Sequence, residues 1–408
     1  MTTVGIVAEF NPFHNGHKYL IEQARKHTGA DNVIVICSGN YVQRGTPAIF
    51  DKFKRTEMAI KNGVDALFEL PVIYSTASAE LFARASVKFL DALNCVDYLC
   101  FGCEEDNLNA LTAISSILSN EPDEYKIYLN NCLRLGISFP KARENALSQY
   151  CKVNNLLDEV QITSLLSEPN NILAIEYMKA IKFFHSPIKP VAIKRIGAGY
   201  HSTNTDLMFA SATGIRKHLS QNDFNKISEY LPENCMDIIP YDKPITFSDF
   251  DTILGAKLLS GNDFSDIYGI NEDLSNRINN YKFEFIDMGS FMEKLQSKNY
   301  TYSAISRALF HIMLDIKTAD VEDFIAKGYF TYARLLGFNR NSKILSLIKE
   351  NSNLDIISKF ADYYNCAEGI SKNMLDISLK ADNLYRMIYM NKYKEHIPTE
   401  FERQIVIC

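Results

Sequence analysis

In the first hundred residues of this chain, four short apolar runs alternate with three amphipathic stretches, and that alternation restricts the possible folds more than any other feature. The runs are Val4–Phe10, Asn32–Cys37, Ala66–Leu70 and Tyr98–Phe101; the stretches between them begin near Asn15 and then span Phe53–Lys61 and Ala79–Leu93. Runs that are apolar throughout predict strands covered on both faces, the environment of a parallel sheet. Parallel neighbours need crossover helices, so the reading is an α/β, Rossmann-like domain with a parallel sheet whose ligands gather at the carboxyl ends of its strands. Asn11-Pro12-Phe13-His14, the Ser38-Gly39-Asn40 turn and Gly102-Cys103-Glu104 all fall at those ends.

Farther along, residues 108–156 read as a helical insertion. The core pattern resumes with a helix over Ile172–Phe184, a strand over Pro190–Ile196 and a helix over Ala212–Leu219 capped by Ser211. Beyond Tyr241 the periodicity is almost entirely helical, which predicts a catalytic domain over 1–240 and an α-helical domain over 241–408, divided near Pro240–Pro244. A chain of 408 residues, 47% hydrophobic, is long enough for a core in each. The apolar strand at the start has no basic segment before it, and no run approaches ~18 apolar residues, so a cytoplasmic protein without a membrane span is expected. The nine cysteines lie mostly in apolar runs and read as reduced core residues. Cys100 and Cys103 have C-x-x-C spacing but no second pair, so no structural metal is expected. A net charge of −6 argues against unspecific coating of nucleic acid, though not against a local basic patch.

The sharpest chemical feature is His14-x-Gly16-His17, directly after a strand and a proline. The unpaired N–H groups of a helix's first turn make an anion site, and two histidines three residues apart share a helical face from which both can donate to phosphate oxygens. The motif predicts ATP rather than a metal cage, although helix capping would also explain the two histidines. Arg195, near the exit of a later strand, could reach the same phosphates. Ser211-Ala212-Thr213-Gly214-Ile215-Arg216 opens a helix with small hydroxyl residues and an arginine one turn in, a pattern that suits capping and phosphate binding equally. Asn170 and Asn171 open another helix, and Arg44 and Lys54 lie beyond the second strand, where a solvated face is the simpler explanation.

Several of these segments, taken in order, resemble one family. Glu9-Phe10-Asn11-Pro12-Phe13-His14-Asn15-Gly16-His17, Tyr41-Val42-Gln43-Arg44-Gly45, Asn62-Gly63-Val64-Asp65 with Glu69-Leu70-Pro71, Pro169-Asn170-Asn171-Ile172-Leu173-Ala174 and Arg195-Ile196-Gly197 are similar to the bacterial tRNA(Met) cytidine acetate ligases. The match is dense over the first 220 residues and continues more weakly at Tyr302–Leu309 and Tyr332–Phe338; Cys103 departs from the serine more usual there. The resemblance implies a Rossmann-like nucleotidyltransferase domain followed by a mostly α-helical C-terminal domain, in an enzyme that activates acetate with ATP and acetylates the exocyclic amine of the wobble cytidine of elongator tRNA(Met). The implied nucleotide site comprises Val7, Ala8, Glu9, Phe10, Asn11, Pro12, Phe13, His14, Asn15, Gly16, His17, Lys18, Tyr19 and Leu20, with Gly102, Asn170, Arg195 and Ile196.

On this reading His14, His17 and Arg195 are the catalytic groups. Acetate attacks the α-phosphorus of ATP, pyrophosphate leaves, and the cytidine amine then takes the acetyl group from acetyl-adenylate with release of AMP. Mg²⁺ is expected as the companion of the phosphates. The proton acceptor for the amine is left open between His201 and a carboxylate. For tRNA, Arg307, Arg334, Arg340 and Lys343, with Lys327, lie among Tyr300, Tyr302, Tyr329, Phe330 and Tyr332, a mixture suited to phosphate contact and base stacking, although aromatic stripes are more often core. No obligate protein partner is indicated. The rival readings are another adenylyltransferase or acetate ligase of the same fold with a non-RNA acceptor, and a non-catalytic RNA-binding protein.

Overall fold

The computed structural model describes residues 1–104, 107–196, 211–221, 223–240 and 243–408. Its strands are β1 (Thr3–Ala8), β2 (Asn32–Ser38), β3 (Tyr41–Val42), β4 (Thr46–Pro47), β5 (Ala66–Leu70), β6 (Tyr98–Cys103), β7 (Lys189–Lys194), β8 (Tyr332–Phe338), β9 (Asp355–Ile357) and β10 (Val406–Ile407). The order across the main sheet is β10-β8-β5-β2-β1-β6-β7, with β9 also paired to β8, while β3 and β4 form a separate hairpin. Strands β5, β2, β1, β6 and β7 run parallel, as the alternating pattern requires.

Two apolar layers explain the uninterrupted hydrophobic runs. Val4, Ile6, Val33, Val35 and Leu67 pack under the helices Asn15–Thr28 and Lys52–Lys61. Ile34, Ile36, Phe68 and Leu99 pack against the helices Ala79–Ala92 and Pro169–Phe183. At Gly5 the second layer closes on the backbone, since an added Cβ would lie 2.9 Å from the methyl groups of Leu90. Among the described residues no helix is long and apolar enough to cross a membrane, and all nine cysteines are unbridged.

The structure corrects the expectation that the chain beyond Tyr241 is almost wholly helical. Strand β8 lies antiparallel to β5, with Ala66 opposite Phe338 and Glu69 opposite Arg334, and the chain's end adds β10. The main sheet therefore takes strands from both sides of the boundary expected near Pro240–Pro244. An isolated strand between helical stretches has no repeating partner in the sequence to announce it. The helical insertion also extends beyond the expected 156: its four helices are Leu108–Asn120, Asp123–Arg134, Phe139–Val153 and Glu159–Ser167.

Five buried charged side chains join the two halves behind β5. Lys52 Nζ lies 2.8 Å from Glu69 Oε1, 2.6 Å from Asp382 Oδ2 and 3.4 Å from Glu400 Oε1. Arg334 lies 3.2 Å from Glu69 Oε2, pairs with Glu400 and approaches Asp382 at 3.8 Å. Two cations thus face three carboxylates, and charge balance is reached if one carboxyl keeps its proton. Burial raises the Asp382 carboxyl to about 8, against the pull of Lys52. At Glu400 burial acts in the same direction, but Arg334 and Lys52 outweigh it and hold the carboxyl near 2.

The two acids therefore have opposite linkage. Asp382 contributes stability that is fully present below the ordinary Asp range of about 4 and is lost as pH rises toward 8, whereas the Glu400 contribution is present above its ordinary value and lost as pH falls toward 2. Asp382→Asn is expected to keep stability within about 1 kcal/mol at neutral pH, and to show less loss than the parent between pH 5 and 8, because the amide imitates the neutral acid. Glu400→Gln should cost roughly 3–5 kcal/mol, as removal of one member of a buried pair does. Urea unfolding at several pH values checks both; equal losses for the two variants would contradict the proton assignment.

Candidate active site

The β1 strand ends at Ala8, and the chain turns through Phe10, at φ 48°, into the helix Asn15–Thr28. The turn is fixed from several sides. Asn11 Oδ1 accepts the Ile49 N–H at 2.7 Å, and Asn11 O accepts from Arg216 Nη1 at 2.7 Å. Phe10 and Phe13 are buried edge to face, 4.9 Å apart, and both rings contact the His17 ring.

Both histidines do serve as caps. His14 is the N-cap, its Nδ1 accepting the Gly16 N–H at 3.0 Å, and His17 Nδ1 reaches back to the His14 N–H at 3.2 Å. These bonds also decide the chemistry. A ring nitrogen that accepts from a backbone N–H carries no proton, so each neutral imidazole must bear its hydrogen on Nε2. The rings stack with centroids 3.8 Å apart. Burial, then Arg195 and Arg216, lower His14 to about 3, and burial, then His14 and Arg195, hold His17 well below its usual range. At neutral pH the pair is uncharged and offers two Nε2–H donors, for which no partner is placed among the described residues. Gly16 is required by the first ring, because a Cβ there would come within 2.8 Å of His14 Cε1.

Arg195 leaves β7 with its N–H bonded to Cys103 O at 2.9 Å, and its side chain passes over Gly102, where a Cβ would be 3.3 Å from Arg195 Cγ. Glu104 Oε1 accepts from Asn170 Nδ2 at 2.6 Å and lies 3.8 Å from Arg195 Nε, while Asn171 Oδ1 accepts the Glu104 N–H at 3.1 Å. Gly102, Asn170, Arg195 and the histidine pair are thus brought to neighbouring strand ends, with Ile196 exposed beside them. Ser211 caps its helix through the Gly214 N–H, as the capping reading has it, and the same helix delivers Arg216 to the Asn11 carbonyl. The His201 candidate lies outside the described residues.

One contributor escaped the sequence reading. Arg55 is fully buried and donates to the carbonyls of Phe50, Glu9, Ser38 and Gly39, binding the ends of β1 and β2 together. The β3–β4 hairpin carries Arg44 at its tip and is held by Gln43 N–H to Glu9 Oε1 at 2.8 Å and by Ser306 Oγ to Gly45 O at 2.6 Å. In the segment Asp51-Lys52-Phe53-Lys54-Arg55, Lys54 is exposed while Lys52 and Arg55 are interior. Not every residue of the implied 7–20 site faces the cleft: Leu20 packs into the apolar layer and Lys18 is exposed, Asn15 Nδ2 bonds Glu229 O at 3.1 Å, and Val7, Ala8, Pro12 and Tyr19 are buried or half-buried.

A family model described as HIGH Nucleotidyl Transferase matches residues 1–400. A protein of Thermoanaerobacter sp. (strain X514) named tRNA(Met) cytidine acetate ligase is 39% identical over 398 residues, covering 96% of each chain. One of the same name from Halothermothrix orenii is 37% identical over 415 residues, covering 98% of each. The crystal structure of Thermotoga maritima TmcAL bound with alpha-thio ATP superposes with a TM-score of 0.91 at 31% identity, over 100% of this chain and 99% of that one.

This chain belongs to the tRNA(Met) cytidine acetate ligase family.

The residues expected to face RNA fare unevenly for a member of that family. Arg334 is withdrawn from the set, because it is 6% exposed and committed to the ion network behind β5. Arg340 and Lys343 are exposed, but β8 runs opposite to the parallel strands, so they emerge at the far edge: Asn339 N–H bonds Asp65 O and Ser342 Oγ bonds Asn32 Oδ1, both at the amino ends of their strands. Tyr329, Phe330 and Tyr332 are core, and Lys327 pairs with Asp323. Arg307 alone of the set adjoins the cleft, its backbone packed where a Gly45 Cβ would lie.

The double duty of His14 can be separated. His14→Asn keeps a favoured N-cap and should fold with a loss of less than about 1 kcal/mol. It removes the Nε2–H, so ATP cleavage should fall on the order of 100-fold or more, as when one preorganised donor is deleted. Near-normal turnover would leave His14 as a cap alone.

Proposed function

We propose that this protein is an ATP-dependent, AMP-forming ligase that converts acetate to acetyl-adenylate and acetylates the wobble cytidine of elongator tRNA(Met) in the cytoplasm. The observation that carries the reading is the neutral His14–His17 pair at a helix N-terminus, beside Arg195 and Arg216, in a chain that shares family membership with enzymes of that name. The ATP analogue held by the Thermotoga maritima protein supports nucleotide binding at the equivalent fold.

The chain's own groups account for the first half of the reaction. As acetate oxygen attacks the α-phosphorus, negative charge builds on the leaving pyrophosphate. Nε2–H of His14 and His17, the first-turn N–H groups and the guanidinium of Arg195 are fixed donors that gain strength as this charge grows, so they lower the barrier rather than only binding ATP. Neutral imidazoles suit the task, since they donate without having to be charged in the absence of ligand.

Among the described residues no group of three His, Cys, Asp or Glu side chains could cage a metal. Mg²⁺ travelling with ATP needs only one or two carboxylates beside phosphates and water. Glu104 fits that need, with a buried Oε2 that has no partner. When bound, Mg²⁺ would neutralise phosphate charge, and Glu104 and the phosphates would hold it.

In the second half, the cytidine amine attacks the acetyl carbon and AMP departs. Unstacked anticodon-loop bases are accessible to such a site without melting a helix. Incubation with ATP, Mg²⁺, radiolabelled acetate and tRNA lacking the modification should place label in acetylcytidine. AMP formation with no label in RNA would keep the activation step and overturn the acceptor; no acetate-dependent reaction at all would overturn the whole reading.

A further inference from the structure

Within the segment implied to bind nucleotide, Glu9 is a carboxylate whose charge is of the wrong sign to hold phosphate. Glu9 follows the last residue of β1, and the alternation of that strand sets the face it occupies. Val4 and Ile6 lie in the layer of the Asn15–Thr28 helix, whereas Gly5 meets Leu90 and Val7 packs with the layer of the Ala79–Ala92 and Pro169–Phe183 helices. Glu9 continues the second set, so it stands across the end of β1 from the histidine pair. Its field is felt on that side by Tyr177, whose phenol is raised by burial and then by Glu9.

One carboxylate oxygen, Oε1, accepts the Gln43 N–H at 2.8 Å, and among the described residues Glu9 takes part in no ion pair. On the same side, two buried side-chain atoms have no partner: Ser38 Oγ, at the end of β2 in register with Ile34 and Ile36, and Asn171 Nδ2, in the first turn of the helix Pro169–Phe183. A carboxylate within the field of Arg44 and Arg216 opposes phosphate binding by simple repulsion. It is suited instead to a ligand that brings an N–H donor, next to acceptors that Ser38 and Asn171 could satisfy. An exocyclic amine beside a ring nitrogen and a carbonyl has this pattern.

Building on the acetate-ligase reading, we propose that Glu9 is the proton acceptor of the transfer step. The cytidine amine nitrogen bonds to the acetyl carbon, the bond from that carbon to the phosphate oxygen breaks with its electron pair leaving on AMP, and the amine proton passes to the Glu9 carboxylate. Attack makes the nitrogen cationic, and a fixed carboxylate stabilises that charge as it forms.

Glu9→Gln keeps an oxygen for the Gln43 N–H and removes the base. Three readouts on the full-length variant decide the matter: acetate-dependent exchange of pyrophosphate into ATP, acetohydroxamate formation with hydroxylamine as a soluble acceptor, and acetylcytidine formation in tRNA. The expected result is a selective defect: acetylcytidine formation falls on the order of 100-fold or more below whatever exchange and hydroxamate rates the variant retains. Retention of all three rates would make Glu9 a hairpin anchor only. Loss of all three together, in a variant that unfolds at the parent's temperature, would assign Glu9 to the nucleotide or its Mg²⁺ and overturn the proposal. A parent enzyme inactive in every readout would instead contradict the acetate-ligase reading on which the proposal rests.

Discussion

The buried cluster of Lys52, Arg334, Glu69, Asp382 and Glu400 is the interaction on which the rest of the structure depends. Lys52 opens the helix that follows the β3–β4 hairpin, Glu69 ends β5, Arg334 lies on β8, and Asp382 belongs to the long helix Gly369–Tyr393. One charge-balanced site therefore fixes the strand that extends the sheet, the helix that brings Arg55 beneath the ends of β1 and β2, and a helix far along the chain. Asp382 also accepts from Asn40 Nδ2 at 2.9 Å, and Asn40 Oδ1 accepts the Lys52 N–H at 2.9 Å, which ties the cluster to the turn after β2. Buried ion pairs need not add net stability over apolar packing. What this one contributes is geometry: its directional contacts hold the ends of the central strands in place.

At those ends, structure and chemistry use the same bonds. The hydrogen bonds that cap the Asn15–Thr28 helix leave Nδ1 of both His14 and His17 unprotonated, so the remaining hydrogens sit on Nε2. The capping bonds therefore leave the donors that the proposed phosphate site uses. Arg195 and Arg216 depress the histidines further and stand beside them as the permanent charges of the site. In the proposed reaction the neutral pair donates and the arginines attract.

Much of this was legible in the sequence, for identifiable reasons. Parallel strands covered on both faces leave uninterrupted apolar runs, so β1, β2, β5 and β6 were found within a few residues, and the His14-x-Gly16-His17 spacing announced the helix start. Arg195 was visible because it ends a strand. The ion cluster was not, since its five members are scattered between Lys52 and Glu400 and each reads locally as a surface charge. The same local ambiguity misassigned Arg334: in the sequence it sits among aromatics as an RNA-binding residue would, whereas β8 places it in the interior with Tyr332 as core. Strand direction, also unreadable locally, carried Arg340 and Lys343 to the far edge of the sheet.

The central claim is that the start of the first helix presents two neutral imidazoles with their hydrogens on Nε2. Nitrogen-15 NMR of histidine-labelled protein at neutral pH tests it directly, with the ring signals assigned from single histidine replacements. The account predicts that His14 and His17 each show a bare Nδ1 and a protonated Nε2, and that these states persist well below the pH at which an exposed histidine titrates. An imidazolium at either position at neutral pH, or a hydrogen on either Nδ1, would contradict it.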